Sequence, residues 1–473
     1  MADLMTKEQG RTLPMLGGSV SIAMLSTPAL AHATGQSFVA LLPTGPYMAV
    51  GVMIVALSIL LLWFLPNRTA NRFLPSVSIA RLTMPRQMRT ASSFGFFLLF
   101  CWLLFGGFTG TRDPLENRLI LGFWVAFWMA ALMLQGLAFN LWGWISPWRW
   151  LIHPIISIRG KNKATLPWSI GVWPAVGLLL CFSAFTLADP APDDPSKLAH
   201  IGVVYFCFTL MGMLLFGPRR WLAQIEFFSI IMTLFGKMAP LGGRSPNIRL
   251  GSHGWQLEPG LFLRPGLPVF ILVLLGTGSF DGFNETFVWL NLIGVNPLAF
   301  PGRSAVVIPV ICGLAVGNLL LIFAFILLLI LGDRIVGGRL NAGQLLPVFA
   351  PTILPIALAY HTAHYIPSLL VDGQYVLAAL NDPFDTGANL LGREGIYVTS
   401  GFFNHRESMR LIWLSQALFI VSGHVLAVVL AHSQSLKTYR SLQRAFIAGM
   451  PLAIFMIMYT WLGLWLLAAP KGG

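Results

Sequence analysis

The sequence predicts an all-α integral membrane protein, a polytopic bundle of about ten transmembrane helices after an N-terminal signal sequence. Of its 473 residues, 56% are hydrophobic and only 10% are charged, and the mean hydropathy is +0.75. Soluble domains carry more charge, whereas repeated apolar spans of about 20 residues give this composition. The 16 Trp and 35 Phe residues suit membrane interfaces and lipid-facing helix surfaces.

The N-terminus has the pattern of a secretory signal peptide over residues 1–31. A positive region with Lys7 and Arg11 precedes an apolar stretch and a small-residue cleavage motif, Ala-Leu-Ala. Cleavage there leaves His32 as the first mature residue and 32–473 as a single polytopic membrane domain. An uncleaved first anchor is the alternative, because glycines interrupt the apolar stretch.

Ten further apolar stretches are long enough to cross a bilayer as helices. They cover approximately 44–65, 91–109, 119–140, 167–188, 200–217, 266–283, 304–332, 345–371, 411–432 and 446–468. A weaker stretch, 221–238, contains Gln224, Glu226 and Lys237, which favours an interfacial or re-entrant helix at the cytoplasmic surface. Glu226 is therefore predicted to lie far from any site on the opposite face.

The distribution of charge orients the bundle. With the mature N-terminus outside, most basic residues fall in cytoplasmic segments, and most acids fall on the outer side, where the long loop 373–410 is predicted to be periplasmic. The protein is thus predicted in a bacterial inner membrane. The net charge of +13 is dispersed between spans rather than gathered in one patch, which argues against a nucleic-acid partner and for the lipid bilayer.

The strongest functional motif is a pair of histidines inside one predicted span. His361 and His364 are three residues apart, so a helix projects both rings from one face, where they can close on a common ion. Ionisable groups within a span are costly and by default indicate a function. The alternative is a neutral pair hydrogen-bonded to neighbouring carbonyl groups. Tyr360 and Tyr365 flank the pair as candidate substrate-binding residues.

A second candidate lies at the outer end of the span 266–283. Asp281 and Glu285 are four residues apart after a glycine-rich stretch, and either carboxylate is suited to bind a metal ion or to act as general base for water. The alternative is a helix-terminating turn. Asp372 and Gln374, at the outer end of the histidine helix, are further candidates for substrate binding.

Two more histidines complete the predicted site. His424 lies near the middle of the span 411–432, at a depth similar to that of His361, which makes it a possible fourth ligand. Its alternative role is a helix–helix hydrogen bond. His32, if it is the mature N-terminus, offers an α-amine and an imidazole together, a chelate suited to copper-type ions.

Several of these segments resemble bacterial integral-membrane proteins known as fenitrothion hydrolases. The resemblance is carried by Leu30-Ala-His32, Ser279-Phe-Asp281-Gly282, Tyr360-His361-Thr-Ala-His364-Tyr365 with Gly373-Gln374, and by the order of spans over most of the chain. It implies hydrolysis of a phosphotriester, such as fenitrothion or methyl parathion, at the bond between phosphorus and the aryloxy group. It does not identify the catalytic residues.

These observations together predict a metal-dependent phosphotriester hydrolase with its site toward the periplasm. His361 and His364 are the expected ligands of a divalent ion such as zinc or copper, Asp281 is a third ligand or the base, and His424 is a possible fourth ligand. The substrate is expected to be small and hydrophobic. The alternatives are a membrane protein that handles copper or another transition metal, as a permease or maturation factor, and a structural subunit of a membrane complex.

Overall fold

The computed structural model describes most of the chain after the predicted signal peptide. The described residues are 42–64, 75–81, 85–159, 166–243, 247–257, 263–299, 301–384, 386–392 and 395–471. The predicted signal peptide, its cleavage motif and His32 lie outside these ranges.

Long apolar helices account for most of the described structure, which makes the chain an all-α, multi-pass membrane protein. Among the described residues, nine helices are long and apolar enough to cross a membrane. They are α1 (Thr44–Phe64), α2 (Arg86–Thr109), α3 (Arg118–Leu137), α5 (Pro195–Phe216), α8 (Leu267–Asn284), α9 (Val307–Ile335), α10 (Ala342–Asn381), α11 (Arg406–Tyr439) and α12 (Leu442–Ala468). The shorter helices include α4 (Trp173–Ala188), α6 (Pro218–Gln224) and α7 (Phe227–Gly236).

The ten predicted spans correspond to these nine long helices and to α4, which has 16 residues. Their boundaries are set partly by polar caps: the side chain of Asn117 accepts from Leu119 N–H at the start of α3, and Asp194 does the same for Lys197 N–H in α5. The helix with the histidine pair is longer than predicted. It continues to Asn381, so the loop predicted as 373–410 is confined to 382–405.

A small antiparallel sheet joins two connections at one face of the bundle. Its strands are β1 (Ser76–Arg81), β2 (Leu241–Gly242) and β3 (Asn247–Gly251), in the order β1-β3-β2, with Ser76 paired to Gly251. We call this side of the bundle the basic face, because it carries most of the arginines of the connections. The opposite side, with the loops after α2, α4, α8 and α10, is called the acidic face.

Contacts between connections agree with the predicted alternation of spans. At the acidic face, a guanidinium nitrogen of Arg303 donates to the carbonyl of Asp189 at 3.4 Å, and Lys471 pairs with Glu285 at 3.1 Å. At the basic face, the Tyr439 hydroxyl donates to Asp333 at 3.1 Å. Each contact joins two segments that the sequence assigned to the same side.

The segment predicted as a surface helix is instead buried. It forms α6 and α7, which meet at Glu226, and only 1% of the Glu226 side chain is exposed. One carboxylate oxygen accepts a hydrogen bond from the Tyr205 hydroxyl at 2.6 Å, and the other caps α7 through Ser229 N–H at 2.7 Å. Because Tyr205 lies near the middle of α5, the tip of the α6–α7 hairpin reaches about half-way across the bundle.

Both ends of the α6–α7 hairpin return to the basic face. Arg159 donates to the carbonyl of Met213 near the start of the hairpin, and Leu241 N–H donates to the carbonyl of Ala138 just after its end. The re-entrant alternative is therefore correct and the surface position is wrong. A single acid in an apolar stretch can be accommodated because Tyr205 of α5 and Ser229 of α7 supply its hydrogen bonds inside the protein.

The core lies where α7, α8, α10 and α11 pack together. Helices α10 and α11 approach each other closely at Gly423, where an added methyl group would lie 2.5 Å from the Cβ atom of Ala359 and 2.8 Å from the carbonyl oxygen of Pro355. Small residues allow helices to approach closely in this way. This packing fixes the position of the next residue, His424.

Candidate functional site

An aromatic cavity opens between α3, α4, α7, α8 and α10. It encloses about 660 Å³ between its lining atoms, part of which is its open mouth. Its polar lining consists mainly of Asp281, His361 and His364, and its aromatic lining is contributed by Trp128, Phe182, Phe235, Tyr360 and Tyr365. An apolar cavity with a few convergent polar groups is the usual form of a small-molecule site.

A contact between an imidazole and a carboxylate joins the two motifs that the sequence singled out. Nε2 of His364 lies 3.2 Å from Oδ2 of Asp281, and both side chains are about one-fifth exposed. Asp281 lies one turn before the end of α8, whereas His364 belongs to α10. The packing of α8 against α10 therefore assembles an imidazole–carboxylate pair on the wall of the cavity.

His361 lines the same cavity, but its polar contact is with the protein backbone. Its Nε2–H donates to the carbonyl oxygen of Trp128 at 2.9 Å, and the two rings meet edge to face at 5.5 Å. Trp128 belongs to the π-helical part of α3, Leu121–Ala131, a wide-turn geometry that is frequent at functional sites. For His361, the structure therefore shows a hydrogen bond to a backbone carbonyl, which is the alternative to metal binding that the sequence left open.

The two tyrosines flanking the histidines also face this region. The Tyr365 hydroxyl accepts a hydrogen bond from Nε1 of Trp128 at 3.0 Å, so its own proton remains available to a further acceptor. The Tyr360 hydroxyl has no hydrogen-bond partner within the described part of the chain. The Tyr365 hydroxyl is therefore suited to donate to a polar group of a bound molecule, whereas the Tyr360 hydroxyl is buried against Gly463 of α12.

His424 belongs to a different group of side chains, which we call the buried cluster: Ser279, Tyr360, His424 and Tyr459. The His424 ring lies 6.5 Å from Tyr360 and 6.3 Å from Tyr459, centroid to centroid, and its side chain is fully buried. Its Nδ1–H donates to the carbonyl of Ile420 at 2.8 Å, while Nε2 has no partner among the described residues. Packing thus directs His424 toward Tyr459 rather than into the aromatic cavity.

Three other predicted site residues lie outside the cavity lining. Glu285 is paired with Lys471 at the end of α12. Gln374 holds the loop at the acidic face. Its side-chain amide donates to the carbonyl of Thr399 and accepts from Thr399 N–H, each at 2.9 Å. Asp372 lies on the same helical extension, two turns beyond His364.

The donor set does not provide a complete metal site. Within the described ranges, no group of three or more His, Cys, Asp or Glu side chains is placed to hold a metal ion. Asp281 and His364 provide two donors, whereas structural and catalytic zinc sites use at least three protein ligands. His32 lies outside the described residues. The divalent ion therefore stays a prediction, and no chemical step is assigned to it here.

The residues that sequence reasoning missed differ in how strongly the sequence signals them. The contribution of Trp128 through its backbone carbonyl has no sequence signature, because every residue carries that group. The bond between Ser279 and Tyr459, 2.5 Å between their hydroxyl oxygens, needs two helices that are far apart in sequence. Glu226 did carry a signal, an acid inside an apolar stretch, which the charge balance of the loops outweighed.

The chain matches no family model, no curated protein and no solved structure. The helices and the cavity alone define the class of this protein: a multi-pass membrane protein with polar side chains on the wall of a cavity inside the bundle.

Proposed function

We propose that this protein is a bacterial inner-membrane hydrolase of small, neutral phosphotriesters, with its site toward the periplasm. The observation that carries the proposal is the His364–Asp281 pair on the wall of an aromatic cavity. A neutral, oily triester partitions into lipid, so it can reach a site at membrane depth. Fenitrothion and methyl parathion, the substrates that the resemblance implies, fit this description.

The pair is suited to act as a general base. With Nε2–H donated to the Asp281 carboxylate, Nδ1 of His364 carries the lone pair that removes a proton from water. The water oxygen attacks phosphorus, the bond from phosphorus to the aryloxy oxygen breaks, and the imidazolium returns the proton to the departing phenoxide or to solvent. Asp281 holds the imidazole in one orientation and stabilises its protonated form. Such base catalysis typically contributes about 10²- to 10⁴-fold to the rate.

A tyrosine hydroxyl supplies the second part of the chemistry. Negative charge develops on the phosphoryl oxygen as water attacks, and a donor aimed at that oxygen stabilises the transition state. Tyr365 lines the cavity and is held by Trp128, so its hydroxyl is the donor proposed for this oxygen. The aromatic walls bind the aryl group of the substrate through apolar contact.

The test is nitrophenol release from methyl parathion by protein purified in lipid nanodiscs. Asp281→Asn and His364→Gln are each expected to lower kcat by at least about 100-fold, because each removes half of the base. Matched controls are Glu407→Gln and His200→Gln, which change an exposed acid and an exposed histidine outside the cavity and should keep the wild-type rate.

Two results would overturn the proposed hydrolase function. Wild-type protein without phosphotriester turnover, or either cavity variant at the wild-type rate, overturns the proposal. Metal analysis of the same preparations adds a separate reading: bound copper or zinc without turnover favours the metal-handling alternative instead. Turnover that survives exhaustive chelation supports a base made of Asp281 and His364 alone.

A further inference from the structure

Three spans reach the basic face close together beside the re-entrant hairpin. They are the start of α4, the end of α5 and the start of α8. The backbone N–H of Val172 donates to the carbonyl of Pro265 at 2.7 Å, and a guanidinium nitrogen of Arg264 donates to the carbonyl of Ala223 at 3.1 Å. Because helix ends lie at the level of lipid headgroups, side chains here meet the membrane interface.

Two arginine side chains lie against the same indole ring, that of Trp168, just before α4 begins. The guanidinium carbon of Arg220 lies 4.9 Å from the centroid of the Trp168 ring, and that of Arg264 lies 5.2 Å from it. Arginine stacks favourably on indole, but two like charges on one ring repel each other. Burial and the charge of Arg220 both lower the pKa of the Arg264 guanidinium.

The protein does not neutralise this pair within its described ranges. No ion pair joins Arg220 or Arg264 to a carboxylate there, and Nη1 of Arg220 is buried without a hydrogen-bond partner. The acid at the tip of the same hairpin, Glu226, already accepts hydrogen bonds from the Tyr205 hydroxyl and from Ser229 N–H. A buried donor on a charged group that lacks a partner is costly, so an external anion would stabilise the arrangement.

The surroundings indicate what kind of anion this is. Trp168 and Trp173 are about half exposed, and Leu263 is 71% exposed. Exposed indoles and leucines at the end of membrane spans contact acyl chains and the headgroup region. A ligand that offers a phosphate to the arginines and hydrocarbon to these side chains is a phospholipid.

We propose that Arg220, Arg264 and Trp168 bind the phosphate of an anionic phospholipid headgroup at the basic face. Each guanidinium presents a fork of N–H donors that matches phosphate oxygens. The site is separate from the aromatic cavity, and its occupation secures the hairpin α6–α7 through the contact of Arg264 with Ala223. Basic pockets between spans on the cytoplasmic side are known to accept such headgroups.

Native mass spectrometry of protein in mixed micelles tests the proposal, with phosphatidylglycerol and phosphatidylcholine at equal amounts. The wild type is expected to retain phosphatidylglycerol preferentially, by roughly fivefold for each arginine engaged. Arg220→Gln and Arg264→Gln should each reduce this preference, and the double variant should abolish it. Arg219→Gln, which changes the exposed neighbour on the same helix, should leave the preference intact.

Other results overturn the proposal. Equal retention of the two lipids by the wild type, or an equal loss in Arg219→Gln, means that no defined site exists. Inorganic phosphate that displaces phosphatidylglycerol at millimolar concentration identifies a free-anion site rather than a lipid site. If a glutamine variant fails to fold, Arg264→Lys replaces it, because lysine keeps the charge without the fork and should still weaken the preference.

Discussion

The aromatic cavity and the buried cluster both place a histidine among aromatic side chains inside the bundle, yet the two imidazoles differ in their partners. In the cavity, His364 contacts the carboxylate of Asp281 and is partly exposed. In the cluster, His424 is fully buried, bonded to a carbonyl of its own helix, and its second nitrogen has no partner among the described residues.

This difference shows that a histidine within a span does not by itself identify a functional site. What separates the two regions is the exposure of the ring and its partner, which is a carboxylate for His364 and a backbone carbonyl for His424. His361 belongs with His424 in this respect, because its proton is donated to the backbone of Trp128.

The largest expected effect concerns packing, since the cluster is tight where the cavity is open. Gly423→Ala places a methyl group 2.5 Å from the Cβ atom of Ala359, which requires α10 and α11 to separate. We expect a loss of about 1–3 kcal/mol in the free energy of unfolding, as for other overpacked cores. Gly278→Ala is the matched control, because Gly278 lines the cavity and an added methyl group there meets open space.

Unfolding of both variants in mixed micelles, followed by circular dichroism, measures the difference. Equal stability of Gly423→Ala and Gly278→Ala would show that the two regions do not differ in packing.

A smaller effect is expected from His424→Leu. The substitution removes Nε2 of His424, a buried acceptor without a partner among the described residues. It also removes the hydrogen bond from Nδ1–H to the carbonyl of Ile420, which already accepts a backbone hydrogen bond of the helix. We therefore expect stability within about 1 kcal/mol of the wild type and nitrophenol release within about threefold. A rate loss as large as that of His364→Gln would place the cluster in the reacting site and remove the distinction between the regions.

The smallest effect concerns an ion pair at the acidic face that lies outside both regions. Nζ of Lys197 lies 2.6 Å from Oδ1 of Asp189. Burial by itself raises the pKa of Asp189, but hydrogen bonds from Lys197 and Ala191 N–H and the charges of Lys197 and Arg303 lower it overall. A lowered folded-state pKa gives stability that is present above the unfolded-state value and lost as the pH falls through the folded-state value.

Lys197→Met is accordingly expected to cost less than about 1 kcal/mol near pH 7, since the pair is partly exposed. The difference from the wild type should shrink as the pH falls below about 4. Thermal unfolding from pH 7 to pH 3 checks both statements. A difference that grows toward acid would mean that the lysine does not hold the Asp189 carboxylate.

Much of the fold was predictable from the sequence because its signals are local. Among the described residues, apolar runs identified the nine long helices and the shorter α4, and contacts such as that of Asp333 with Tyr439 agree with the assigned sides. The sequence wrongly placed Glu226 at the membrane surface. The charges that flank a segment indicate on which side its ends lie, but not how deeply its middle enters the bundle. The acceptor role of Glu226 for Tyr205 depends on a hairpin that only packing could reveal.

For the candidate site, the sequence by itself determined the residue types and their helix: two histidines on one face of a span, and an acid at the end of another. Only the tertiary structure decided their partners. His364 meets Asp281, His361 meets the carbonyl of Trp128, and His424 turns away toward Tyr459. The physical reason is that helix periodicity fixes where a side chain projects, whereas the groups it meets depend on how neighbouring helices pack.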